Sequence, residues 1–573
     1  MEDSQGYKLV FKDEDNNVIL EDTVADIEVY ELPIDIEISG IFTVEIQAIG
    51  YGEGKVFNST ISSKTSGQEV PGEVVSFGYD DTTNLLTWKA PSGMLDTDKF
   101  LLTYTVLQKD TELVSENNYQ IVTNTYNHKK EISYQQVEFY NSSTEEYFYL
   151  INGVGIYSNI QISVVRPDTI SSKPQVEDDV DLELFAGGNG EENNPFAIEN
   201  AEQLLNISKF ATLNKHFVLI ANIDMSGVDV NERLNNFGAI IANEFKGSLN
   251  GTFKTIHGYK FSELDSPDTI KLTEVNNFAL FNKLTSANIR NLNLGKAGTT
   301  TNIVNTFANP INDVVQLSML AVEAKNSTIE RINVRPMSIT LVKGGSSSTV
   351  NLKKGFKISA LVGTVSGGSI KNCVVESLTT NTNGIFFPNN SEIKTYISAV
   401  AAAATGVEIS GIKVGVNAPY SAGAKLNVSV SYSNMPTITY VGTVAGYSEN
   451  CTLNDVYADL VLNNAQVQYA GGVIGCANNS TIESSSSSGT INYSCKANTN
   501  IGGVVGYMQD STIISSNSNT VFNITKDNAY NIYVGGIVGT INGGSKKSII
   551  NSCTFTQTGI NTYGYASGMY QII

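Results

Sequence analysis

Three histidines, His128, His216 and His257, are the only imidazoles among the 573 residues. A histidine general base needs a nucleophile or a carboxylate within hydrogen-bond reach. None of the three stands in H-E-x-x-H, the spacing that turns two imidazoles toward one zinc ion. No G-x-S-x-G elbow presents a serine nucleophile. Each histidine therefore reads as a turn or surface residue. The five cysteines, Cys373, Cys451, Cys476, Cys495 and Cys553, include no C-x-x-C pair and are odd in number. They read as buried free thiols that fill space, not as a zinc site or a disulfide framework.

Glycoside hydrolysis needs two carboxylates about 5–9.5 Å apart across a groove. Adjacent aspartates occur only at Asp80–Asp81 and Asp178–Asp179. The run Glu177, Asp178, Asp179, Asp181 and Glu183 has the charge a hard cation wants but lacks EF-hand spacing, so it reads as a solvated linker. Asp13, Asp15 and Asn17 open like a calcium loop yet lack its Gly at position 6 and Glu at position 12; a hairpin turn is expected there. A lyase would need a basic group against a uronate. The arginines are Arg166, Arg233, Arg290, Arg331 and Arg335, of which Arg290 and Arg331 follow equivalent steps of consecutive repeats. They read as an outward ladder of surface charges. The Gly-rich strings are followed by turns and strands, not by the helix a nucleotide loop requires. The expectation is no catalytic residue, no cofactor-binding residue and no metal ligand.

The elements that would position any site are β-strands. Only 16% of residues are charged, and the net charge is −21. Such a surface repels phosphate backbones and anionic membranes, so neither nucleic acid nor a membrane is expected as a partner. The longest aliphatic stretch, 397–404, is far short of the ~20 residues that span a bilayer. Residues 1–67 read as strands of a partial sandwich. Residues 68–167 repeat the theme, with Trp88, the single tryptophan, on an early strand. Pro71, the L-x-W-x-x-P of Leu86, Trp88 and Pro91, and the turn Gly155–Ser158 after an aromatic strand resemble the fibronectin type III family. That resemblance implies an immunoglobulin-like sandwich with Trp88 in its core. Residues 168–190 are expected as an acidic linker. Residues 191–276 are expected as the cap and first coils of a β-helix. Asn200 opens the one clear helix, over 200–213, with Gln203 three residues on.

From residue 277 the chain repeats. Each unit opens with a small or apolar hexad and continues to a polar-Thr-Ile step. The second hexad residue falls at 278, 318, 359, 398, 442, 471, 502 and 535, and a ninth unit begins at 566. A fixed hexad with elastic spacing is the behaviour of a parallel β-solenoid, whose coils stack ~4.8 Å apart while loops vary. Ile289, Ile329, Ile370, Ile409, Ile482 and Ile513 are expected to stack as an inward ladder.

The cores Gly471–Gly475, Gly502–Gly506 and Gly535–Gly539, with a weaker one at Gly442–Gly446, resemble GLUG-motif repeats. This resemblance covers about 185–573 and implies bacterial-type extracellular surface proteins, which include adhesins and some IgA-protease-type metallopeptidases. The expected fold is all-β: fibronectin type III-like sandwiches, then a β-helix over 277–573 with an N-terminal capping helix. The expected function is that of an extracellular cell-surface adhesin or structural filament without catalysis. Partners would be a glycan or protein of a host or neighbouring cell, or further copies of the chain, engaged through loops of 278–441. A signal peptide and anchor are expected outside this segment. The alternatives are a carbohydrate-active β-helix enzyme, or the non-catalytic stalk of a larger surface metallopeptidase.

Overall fold

The computed structural model describes the chain except residues 1–5, 13–16, 25–39, 49–55, 64–69, 168–170, 229–238, 260–267, 274, 308–310, 345–349, 352–353, 383–384, 387–392, 416–424, 430–437, 464–466, 495–497, 526–530, 557–559, 564–568 and 573. Cys495, Arg233, Asp13 and Asp15 lie outside the described residues, as do several of the 278–441 loops. The fold is almost entirely β, and none of its helices is long and apolar enough to cross a membrane among those residues. It divides into two units: residues 1–108 with 123–182, and residues 109–122 with 183–573.

The first unit is antiparallel. Tyr7–Lys12 pairs with Val18–Val24 on one side and Gly40–Ala48 on the other, over a small core of Leu9, Phe11 and Val44. Further on, Leu85–Lys89 pairs with Val75–Asp80 and Glu146–Leu150, and Lys99–Ser115 pairs with Gly155–Val165. Alternation explains the burial: Leu86 and Trp88 point inward from one strand, and Phe100, Leu102 and Val106 from another. Trp88 is fully buried, edge-on to Phe100 at 5.6 Å and stacked on Tyr147 at 5.9 Å. Asp98, also fully buried, is held by the Arg166 guanidinium through two bonds of 2.8 and 2.9 Å. That bond holds the Asp98 carboxyl below the usual carboxylate range.

The stretch expected as a linker is structured. Gln175–Glu177 and Val180–Leu182 both pair antiparallel with Gly155–Val165. Val180 and Leu182 are buried, while Asp178 and Asp179 turn between the two short strands. The charges that suggested a free linker lie on an edge, where they discourage further strand pairing.

The second unit is a parallel solenoid built from a continuous sheet of 30 strands and a second sheet of nine. The inward ladder runs Leu249, Ile289, Ile329, Ile370, Ile409, Leu453, Ile482, Ile513, Ile550, each in register with the next. All are fully buried except Ile550, which is 38% exposed. The hexads align as expected from residue 318 to 535 but not at the ends. Phe278 pairs with Leu317, so Ala279 rather than Phe278 is the equivalent of Ser318. At the other end Gly535 lies opposite Ile572, five residues beyond the expected Ser567.

At the start of the solenoid, helix α1 (Ala201–Phe210) buries Leu204, Leu205, Ile207 and Phe210. Asn200 Oδ1 accepts from the Gln203 N–H at 3.0 Å, and Gln203 Oε1 accepts from the Glu199 N–H at 2.8 Å, one residue earlier than a reciprocal capping box predicts. Phe210 packs on Phe196, which begins a line of rings through Phe217, Phe245 and Phe281.

Candidate functional site

The residues singled out for chemistry do not converge. His128 stacks on Tyr104 at 4.8 Å, and burial lowers its pKa. His257 stands 3.9 Å from Asp224. His216 Nδ1 meets Ser248 Oγ at 2.8 Å beside a cavity of about 180 Å³ lined by Glu192, Asn250 and Arg290. Arg290 pairs in register with Glu330, and Arg331 reaches the same glutamate at 3.6 Å, so an outward column of charges does form. Arg335 instead forms an ion pair with the buried Glu376. Asp80 caps its own turn, accepting from Thr82 N and Thr83 Oγ1. Asp459, whose carboxyl burial raises, faces Ser488 in the next coil. Among the described residues no three His, Cys, Asp or Glu side chains are grouped to hold a metal ion.

Cys373, Cys451 and Cys476 are buried, and Cys553 is partly exposed. Burial pushes the Cys373 and Cys476 thiols up to about 12. They are protonated at neutral pH and poor nucleophiles.

The Gly-rich core creates a concave corner. In the four coils with cores at Gly442–Gly446, Gly471–Gly475, Gly502–Gly506 and Gly535–Gly539, the chain leaves the nine-stranded sheet, passes through G-x-x-x-G, and enters the larger sheet. A Cβ on Gly506 would lie 2.6 Å from the Gly475 carbonyl oxygen and 2.7 Å from Ala470 N. Gly475 and Gly539 have the same relation to the backbone beside them. Without side chains here the two sheets close on each other.

Two outward columns line that corner. On the nine-stranded sheet, Gln316, Lys357, Tyr396, Tyr440, Tyr469 and Asn500 follow in register. On the larger sheet the facing column is Glu323, Thr364, Ala403, Tyr447, Cys476, Tyr507 and Thr540. Side chains bridge the two. Lys357 donates to Thr364 at 2.7 Å, and Thr364 donates to Gln316 at 3.0 Å. Tyr440 meets Tyr447 edge-to-face at 5.8 Å, and Tyr469 meets Tyr507 likewise at 5.2 Å. Tyr440 and Cys476 are only 6% and 7% exposed, so the two columns fill the corner between the sheets with their own side chains.

Within the first column the rings stack: Tyr396 on Tyr440 at 5.0 Å and 7°, Tyr440 on Tyr469 at 5.1 Å and 14°. Burial pushes the Tyr396 phenol up to about 12 and raises those of Tyr440 and Tyr469. All three remain neutral hydroxyls. Sequence reasoning passed over these tyrosines. The signal was their position: Tyr440 and Tyr447 immediately flank V-G-T-V-A-G, and Tyr469 and Cys476 flank A-G-G-V-I-G.

The chain matches no known protein family, and no curated protein matches it. Among solved structures it is similar to a Bacteroides ovatus protein described as a candidate immunoglobulin A1 protease. The identity is 16% and the TM-score 0.26, over 67% of this chain and 87% of that one. So distant a likeness carries no argument about activity.

Proposed function

We propose that the chain is the scaffold portion of an extracellular surface protein, an adhesin or a structural stalk. Its first unit is read as fibronectin type III-like modules and its second as a GLUG-type β-helix. The supporting observation is the unbroken ladder from Leu249 to Ile550, in which every coil repeats the last in register. Such a stack is stabilised by neighbour-to-neighbour contacts and offers a long repeating surface.

The test uses beads coated with the purified chain. They are expected to adhere to cells or to extracellular matrix, while the soluble chain releases no product from a panel of polysaccharides and proteins. Absence of adhesion, or steady release of a product, overturns the proposal.

A further inference from the structure

A cavity of about 530 Å³ opens in the first unit, at the end of a row of rings. Trp88, Tyr147 and Tyr140 stand opposite one another on three neighbouring strands, so they share one face of the sheet. Trp88 and Tyr147 are buried, whereas Tyr140 lies on the two-residue edge strand Tyr140–Asn141 and is part-exposed. Tyr140 packs on Tyr147 at 4.9 Å, and the part-exposed Tyr134 approaches Tyr147 at 6.4 Å. Neither Tyr134 nor Tyr140 makes another ring contact among the described residues. With Pro91 these rings give the cavity its apolar lining.

Two left-handed residues complete the lining. Gln135 has φ 63° and Glu145 φ 55°. Most of the chain's other non-glycine residues with positive φ are Asn, Asp or Ser. Long side chains such as Gln and Glu are less at home there. The surroundings hold the first of them in place: Tyr134 N–H donates to the Asp98 carbonyl at 3.0 Å, and Gln135 N–H to the Tyr147 hydroxyl at 3.0 Å. Backbone strain of this kind clusters at ligand sites. Tyr147 is only 1% exposed, and its hydroxyl accepts from Gln135 but donates to no described acceptor. Burial raises its pKa, so the proton stays on the oxygen. A buried O–H that lines a cavity and lacks an acceptor is open to one from a ligand.

The lining groups select that ligand. Lys89 can only donate, and Tyr147 has a proton left to give, so the ligand must carry acceptors. A simple alkylammonium has none. The Glu145 carboxylate, unpaired among the described residues, can only accept, so the ligand must carry donors as well. Lys89 stands 3.8 Å from Glu146, which offsets its charge and leaves Glu145 to repel an anion. The faces of Tyr134 and Tyr140 carry the partial negative charge of their π-systems and attract slightly positive C–H hydrogens. A neutral sugar meets all of these demands. Each of its hydroxyls both donates and accepts, and its ring has an apolar C–H face. The cavity falls within the ~300–1,000 Å³ of small-molecule sites, which leaves room for the end of a glycan chain.

We infer that the cavity lined by Tyr134, Tyr140 and Tyr147 binds the neutral terminal sugars of a glycan, with Tyr134 and Tyr140 against C–H faces and Tyr147, Gln135 and Glu145 on hydroxyls. The inference rests on the adhesive reading and deepens it, since it names the chemistry of the partner.

The probes are galactose, N-acetylglucosamine, lactose and cellobiose, titrated into the whole chain and read by saturation-transfer NMR. N-acetylneuraminic acid and choline are the acidic and cationic comparators. Saturable binding of at least one neutral sugar is expected, with both comparators weaker. Tyr140→Ala removes a stacking face and is expected to weaken binding about three- to tenfold. Glu145→Gln keeps the shape and removes the charge, with a loss of about three- to tenfold. Tyr126→Ala, at an exposed ring on the strand Asn118–Ser133, is the control and leaves binding unchanged. Thermal melts followed by Trp88 fluorescence check that the variants fold. No binding by any of the four sugars, tighter binding of either comparator, native affinity in either site variant, or an equal loss in the Tyr126 control overturns the inference. Bead adhesion is scored separately. Beads that adhere while no sugar binds overturn this site alone, and beads that fail to adhere overturn the adhesive reading.

Discussion

The phenol rings of Tyr396 and Tyr440 lie 5.0 Å apart and 7° from parallel, one full coil from each other. That relation is imposed by the backbone. Tyr396 pairs in register with Tyr440, and Ile397 beside it pairs with Val441. Any change that opens the corner separates the two side-chain columns as well as the coils.

Gly506 is the sharpest place to open it. A methyl group there would meet two backbone atoms, Gly475 O at 2.6 Å and Ala470 N at 2.7 Å, and neither can rotate away. Gly506→Ala is expected to cost about 3 kcal/mol or more, at the upper end of overpacking effects. Gly543→Ala, with nothing within 4 Å of the added carbon, is expected to fall within ~0.5 kcal/mol of the native chain. Chemical denaturation of both variants checks this, and equal stability of the two would contradict the close approach.

Ile370 is fully buried in the ladder between Ile329 and Ile409. Ile370→Ala leaves a cavity at a site that cannot collapse without moving both neighbouring coils, and about 2–5 kcal/mol is expected. Ile550→Ala, 38% exposed at the far end, should cost under ~1 kcal/mol. The same denaturation experiment ranks the two positions.

The pair Asp98–Arg166 makes the first unit sensitive to acid. The Arg166 hydrogen bond lowers the Asp98 pKa in the folded state. A lowered carboxylate pKa gives stability that is complete above the unfolded value, near 3.9, and is lost as the pH falls through the folded value. Trp88, the single tryptophan, lies in the same unit and reports its unfolding. Asp98→Asn is expected to lower stability at pH 7 by about 3–5 kcal/mol, because it leaves the buried Arg166 guanidinium without its counter-charge. It should also flatten the acid dependence of Trp88 fluorescence below about pH 4. An unchanged acid profile would assign that dependence to other carboxylates.

Thiol labelling reads the solenoid directly. With Cys373 and Cys476 buried and held protonated, they should resist a disulfide reagent at pH 8 for as long as the coils are folded. Cys553, which is partly exposed, should label before Cys373 and Cys476. Peptide mapping by mass spectrometry distinguishes the sites. Rapid native labelling of Cys373 would contradict its burial between coils.

Much of the solenoid was legible because its chemistry repeats. A polar-Thr-Ile step needs one inward isoleucine per coil, and Ile289 through Ile513 occupy that position. The register slipped at Phe278 because N-F-A-L-F-N is apolar at adjacent positions, so its hexad has no unique phase. Strands 175–177 and 180–182 were missed because edge strands carry charge, and their acidic residues read as solvated chain. The tyrosine columns were missed for a different reason. One holds Lys357 and Asn500 as well as tyrosines, and the other is supplied from the far side of the glycine core. Proximity across that corner is a property of the fold, visible only once the coils are stacked.

The asparagines at 427, 463, 492 and 523 hand one amide hydrogen bond to the next, at 3.3, 2.8 and 2.8 Å. These links, like the strand bonds around them, connect one coil to its neighbour. Tension that peels an end of the solenoid away therefore breaks one layer at a time and leaves the remaining layers whole. From Leu453 to Ile550 successive layers repeat after 29, 31 and 37 residues. Each one freed pays out roughly 100 Å of chain. The same repetition that orders the stack lets it yield to tension in discrete steps.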